Sequence, residues 1–263
     1  MDPENRADQY PQLKHVFLII FLTLCLTFGI GLLGAVIGAK TELFLLEGLL
    51  ILPALVFTWR SHYSLPEIFR LRPVNKKIAG LSAIIGVAFA IVSDEIDRII
   101  QLFFPMPEIF KNAIEASMKI QSTSDFIIIV FSAVFLAAIV EEMLFRGFVQ
   151  TSFENHFDIT KAVMSTSLVF AVVHFNPWWS IQVLIIGVLL GVMAWKSDSI
   201  IPPIIVHFVN NAIALVFANL PPESLSWYSY KNHVSIPILI AAILMTIYGF
   251  RLYYHFCDLS TSD

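Results

Sequence analysis

The stretch that decides the fold is AVMSTSLVFAVVHFNPWWSIQVLIIGVLLGVMAW, residues 162–195, with no Asp, Glu, Lys or Arg in 34 positions. A helix rises about 1.5 Å per residue, so about 20 residues cross a hydrocarbon core of about 30 Å. The stretch is too long for one ordinary span, and Asn176-Pro177 divides it into two helices. Three more windows lack those charged residues: His15 to Ala39 (25 residues), Ser199 to Pro222 (24) and Asn232 to Phe250 (19). The chain as a whole is 57% hydrophobic and 14% charged, with mean hydropathy +0.78, outside the range of soluble domains. These features define an all-α, polytopic membrane protein.

Eight spans are expected, at 15–38, 43–59, 78–100, 126–150, 160–176, 179–195, 200–219 and 235–256, forming a single membrane domain over residues 1–263. The first is too long for the h-region of a signal peptide and is read as a retained span. The acidic run from Asp94 to Asp97 suggests that the third helix projects beyond the bilayer, and 101–125 should hold a short amphipathic helix after Pro107. Gly34-x-x-x-Gly38 and Gly187-x-x-x-Gly191 are read as intramolecular helix contacts. Cys25 and Cys257 form neither a disulfide framework nor a CxxC motif.

The basic residues set an expected orientation in the cell membrane. Arg60, Arg70, Arg72, Lys76 and Lys77 crowd the 60–77 loop. Placing that loop in the cytoplasm puts both termini there and leaves 11 basic residues inside against five outside. A net charge of -4 gives no footing for a nucleic-acid partner.

Three polar patterns interrupt the apolar helices: Glu141-Glu142-x-x-x-Arg146, Phe170-x-x-x-His174 and His207-x-x-x-Asn211. An ionisable group in hydrocarbon costs roughly 2.5–3.5 kcal/mol on insertion scales and is rarely kept without a partner or a task. Glu142 and Arg146 stand at i,i+4 and can pair, which leaves Glu141, about 100° away, free to face elsewhere. His207 and Asn211 share one face, and so do Phe170 and His174; Asn210 points away and is read as a packing residue.

Depth is less even. Glu141 and His207 come out about 8 and 10 Å from the cytoplasmic side, but His174 about 20 Å deep if its helix starts at 160. One site forms only if residues 158–165 project into the cytoplasm.

A carboxylate beside a histidine can deprotonate water, and an Asn amide with an imidazole N–H can stabilise an oxyanion, which together suit amide hydrolysis. A Glu and two His could instead hold zinc with an open water position, although no H-E-x-x-H pattern is present and Asn211 would then lack a task. A non-catalytic scaffold or immunity protein binding a peptide in the same cavity is the alternative from another class. A transporter lacks its repeat pair of broken helices.

At these residues the chain resembles the CPBP family of membrane-embedded proteases, described both as metalloproteases and as glutamic proteases. The family includes CaaX prenyl-protein endopeptidases and bacteriocin-processing or self-immunity proteins. The three motifs match in order, separation and setting over about 125–215, and LPEIFRLRP, residues 65–73, is similar to a loop seen upstream of them. The resemblance implies that Glu141 and His174 activate water and that His207 and Asn211 form the oxyanion hole. Glu142 and Arg146, with Phe170, would orient the site or the substrate. No cofactor and no metal are expected, given the absence of a zincin motif and the task left to Asn211; the substrate is expected to be a membrane-associated protein or peptide, with a prenylated C-terminus and a leader peptide as the two candidates.

Overall fold

The computed structural model describes residues 10–260; Arg6, counted above among the cytoplasmic cations, lies outside them. Among the described residues, seven helical spans are long and apolar enough to cross a membrane, and an eighth apolar helix, Ile159–Val173, is shorter. The protein is an all-α polytopic bundle. The expected count of about eight corresponds to these seven and the short helix.

The chain opens with α1 (Leu13–Ile37), which ends at Gly38. Gly38 has φ 85°, a conformation open to glycine, and its N–H bonds back to the Gly34 carbonyl. The second expected span is two helices, α2 (Ala39–Leu49) and α3 (Leu52–Arg60), with Pro53 in the first turn of α3. Proline lacks the N–H that would continue the preceding ladder, so the helix restarts there. The Glu42 side chain of α2 packs on Gly34 of α1, an intramolecular contact as expected.

A short helix, α4 (Leu65–Ile68), anchors the basic loop. Ile68 and Phe69 are fully buried. Arg70 pairs with Glu154 and Asp198, and Arg72 with Asp198. The loop is therefore docked against the bundle end. Next, α5 (Lys76–Phe103) is capped by the Asn75 side chain on Lys77 N–H at 2.9 Å. At 28 residues it is about 42 Å long and outreaches the hydrocarbon core.

The acidic end of α5 does more than meet water. Glu95 takes His233 Nδ1 at 2.7 Å and Val234 N–H at 2.7 Å, while Asp94 accepts the Tyr228 hydroxyl at 2.8 Å. These bonds hold a small hairpin, β1 (Ser229–Tyr230) with β2 (His233–Val234), on the helix. The amphipathic helix after Pro107 is α6 (Glu108–Met118). The Asn219 side chain accepts Ile120 N–H and donates to the Met118 carbonyl, tying its exit to the bundle.

The longest helical run, α7 (Thr123–Glu154), includes two π-helical stretches, Val130–Leu136 and Met143–Val149. It turns into α8 (Ile159–Val173), capped by the Asp158 carboxylate on Lys161 N–H at 3.0 Å. α9 (Ser180–Ser197), α10 (Ile201–Asn219) and α11 (Ile236–Ser260) complete the bundle.

Gly187 and Gly191 let α9 lie close on α7 and α8. A methyl on Gly187 would meet Ser167 Cβ at 3.1 Å, and one on Gly191 would meet Gln150 Oε1 at 2.9 Å. Their carbonyls accept from Arg146 at 3.2 Å and Gln150 at 2.9 Å, so the contact also satisfies α7 side chains within the bundle.

Candidate active site

Glu141 and Glu142 lie at the end of the α-helical segment between the two π stretches of α7. A π-helical stretch carries i→i+5 bonds, and such segments are common at functional sites. Glu142 is fully buried, and its Oε1 accepts from Arg146 Nη1 at 2.9 Å. Arg146 is fully buried too; it bonds the Gly187 carbonyl and lies over the Phe170 ring, 4.2 Å from its centroid. The sequence expectation of a Glu142–Arg146 pair is met. Neither residue lines the cavity described below.

Glu141 turns the other way, into a cavity of about 570 Å³. Its Oε2 has no hydrogen-bond partner, and it lies 3.9 Å from His174 Nε2 and 3.9 Å from His207 Nε2. Three helices, α7, α8 and α10, thus aim one carboxylate and two imidazoles at a common point.

The two histidines are backed differently. His174, at the C-cap of α8, has Nδ1 2.6 Å from the Phe170 carbonyl. A carbonyl only accepts, so Nδ1 carries a proton and, in the neutral ring, Nε2 presents a lone pair to Glu141 and the cavity. The tautomer is assigned from this contact. His207 has Nδ1 2.8 Å from Glu142 Oε1. A carboxylate also requires a proton on Nδ1, but it supports the imidazolium as well, in which Nε2 becomes a donor. The environment makes His174 the acceptor and His207 the candidate donor.

Phe170 packs edge-on against His174 at 4.6 Å and His207 at 6.3 Å, so one ring braces both imidazoles and Arg146. Asn211 donates one amide hydrogen to the Ala133 carbonyl at 2.9 Å, inside the first π stretch, and accepts from Asn210 at 3.3 Å. Its second amide hydrogen remains for a ligand.

The depth mismatch between Glu141 and His174 in the sequence reading disappears. α7 runs to Glu154, beyond the expected end at 150, and α8 starts at Ile159 after a short turn. Counted from that turn, Glu141 and His174 lie about 20 and 22 Å along their helices. His207 lies only about 9 Å into α10, so the α7–α8 turn reaches past the start of α10, in keeping with the expected projection of 158–165.

Two features escaped the sequence reading. Asn210 lines the cavity beside Asn211 instead of packing away from it. Glu47 of α2 also lines it, near enough to Glu141 for the two charges to interact. An internal acid in the second span was visible, but no local pattern tied it to the three motifs. Among the described residues no group of three or more His, Cys, Asp or Glu side chains has the spacing a metal ion needs.

The fold and site define a class: a multi-pass helical membrane protein with a Glu–His–Asn cavity inside its bundle. Residues 123–213 match the family described as type II CAAX prenyl endopeptidase, Rce1-like. All three motifs fall within that region, which bears out the resemblance to the CPBP and CAAX proteases. Searches among curated proteins and among solved structures give no match.

Proposed function

We propose that the whole chain is one membrane domain acting as an intramembrane endopeptidase, of CaaX type and glutamate-dependent. Its substrate would be a peptide bond in a membrane-associated peptide or protein. Glu141 takes a proton from water, and His174 Nε2 accepts the water's other hydrogen and aligns it for attack. The carbonyl oxygen becomes an oxyanion held by His207 Nε2–H and the free Asn211 amide hydrogen. Protonated Glu141 then returns its proton to the leaving amine as the C–N bond breaks. Glu142, with Arg146 behind it, keeps His207 oriented.

The observation that carries this reading is the pair of 3.9 Å distances from Glu141 Oε2 to His174 Nε2 and His207 Nε2. At 3.9 Å each imidazole nitrogen is too far for a direct bond to the carboxylate and near enough for a water bound to Glu141 to bridge to it. A peptide-binding scaffold needs no such convergence of an acceptor pair and a donor pair. The test is cleavage of a peptide library by the purified, reconstituted protein, wild type beside Glu141→Gln. Cleavage lost in the variant supports the reading; equal cleavage by both overturns it.

The cavity follows α10 from His207 to Ala218. The start of α10 abuts the basic loop through Ile200 N–H to the Arg70 carbonyl at 3.2 Å, so the cavity extends away from that loop. With the loop and both termini in the cytoplasm of a cell-membrane protein, substrate reaches the site from the opposite face. That sidedness suits a leader peptide or exported segment. A cytosolic prenylated C-terminus fits the reversed orientation.

A further inference from the structure

Four carboxylates line the cavity, those of Glu47, Asp94, Asp97 and Glu141, and no Lys or Arg lines it. Three of them are engaged. Asp94 accepts from Arg98 Nε at 2.9 Å and from the Tyr228 hydroxyl at 2.8 Å, and Asp97 accepts from Gln101 at 3.4 Å. Glu141 faces the two imidazoles at 3.9 Å. Glu47 alone among the four has no hydrogen bond or ion pair; it is half-buried, with its carboxylate open to the cavity.

An ionisable side chain inside a membrane bundle is costly and by default marks a function with a partner to be named. Glu47 has no such partner among the described residues, and it shares the cavity with Glu141 and with no Lys or Arg. The missing partner is therefore a cation delivered with the ligand. The apolar walls beside Glu47, including Leu43 and Ala137, suit the methylene stem of a long cationic side chain, whose charged tip would end at the carboxylate.

We infer that Glu47 forms a subsite for a Lys or Arg side chain of the substrate, close to the scissile bond. This rests on the endopeptidase reading, since Glu47 is positioned relative to the attacking water by its proximity to Glu141. Because Glu47 and Glu141 line the same cavity, the cationic residue lies near the cleaved bond in the substrate. A substrate lacking it leaves Glu47 unpaired, which is how such a group discriminates.

The test is a reconstituted cleavage assay on a randomised peptide library, with cleaved bonds mapped by mass spectrometry. Wild type should enrich Lys and Arg at one position near the cleaved bond. Glu47→Gln should collapse the basic-over-neutral preference by about 10- to 100-fold, the usual effect of removing one partner of a buried charge pair. Glu47→Asp should keep the preference, and Glu47→Lys should shift it toward Asp and Glu. The subsite is overturned if wild type shows no basic enrichment, or if Glu47→Gln and Glu47→Asp lower all cleavage equally and leave the ratio unchanged. A wild-type protein that cleaves nothing in the library overturns the endopeptidase reading itself, and the subsite with it.

Discussion

Nδ1 of His207 lies 2.8 Å from Oε1 of Glu142, joining two helices across 65 residues of sequence. The same oxygen takes Arg146 Nη1 at 2.9 Å, so the second glutamate of the first motif serves the third motif as well as its own. Glu141, one residue earlier, turns into the cavity. Adjacent glutamates therefore divide into a buried anchor and a cavity carboxylate, and the following predictions test that division.

Glu141→Gln keeps shape and hydrogen bonding but removes the base. Turnover should fall by about 10²–10⁴-fold with folded yield unchanged, the usual worth of general-base catalysis. Glu142→Gln should lower folded yield as well as rate, because Arg146 and His207 both lose a charged partner. Size-exclusion recovery beside the cleavage rate separates the two effects. Near-normal turnover in Glu141→Gln would falsify its role.

Asn211→Ala removes one oxyanion donor and should cost about 10²–10³ in kcat, with KM within a few-fold. Asn210→Ala should be milder but not silent, since Asn210 donates to Asn211 Oδ1 at 3.3 Å and shares the cavity wall. Both variants are measured in one detergent. A loss confined to KM in both would mean that the pair binds substrate instead of stabilising charge.

Cleavage should survive exhaustive dialysis against EDTA, and elemental analysis should find well under one zinc per chain, because the proposed chemistry gives water activation to Glu141 and His174. A single tightly held zinc whose removal and return switch activity off and on would establish the zinc hydrolase instead.

Gly147 and Gly191 are packing positions, and alanine there should destabilise the bundle. A methyl at Gly147 would meet Phe69 Cα at 2.9 Å and one at Gly191 would meet Gln150 Oε1 at 2.9 Å. Overpacking of this kind costs about 1–3 kcal/mol, so Tm in detergent should drop by several degrees. The backbone collision at Gly147 should be the worse, since the Gln150 side chain can yield. Gly80→Ala, with nothing within 4 Å, should leave Tm level or slightly raised.

Sidedness is open to labelling. With Cys25 and Cys257 replaced by serine, a cysteine at His62 in the basic loop should be protected from a membrane-impermeant maleimide in intact cells. One at Glu115 on α6 should react. The opposite pattern would reverse the orientation and turn the cavity toward the cytoplasm.

The membrane class was legible in composition alone, because the cost of moving apolar or charged groups into hydrocarbon is nearly local and sums along a window. So were the amphipathic helix after Pro107, found at Glu108–Met118, and the glycine contact of Gly187 and Gly191. The break that makes α2 and α3 from one expected span was signalled only by Pro53, within an otherwise apolar run.

The amino-acid sequence by itself determined that Glu141, His174, His207 and Asn211 would sit in membrane helices, and that Glu142 would pair with Arg146. Tertiary structure alone decided that α7, α8 and α10 bring them to one point. That convergence depends on where α7 ends, on its two π stretches and on the short turn into α8. None of these is written in an apolar period of 3.6. It also decided which nitrogen of each histidine faces the cavity, since a tautomer follows from the partner behind the ring. The packing of α2 against α7 brought in Glu47, because a lone acid in a helix gains a neighbour only when another helix supplies the wall.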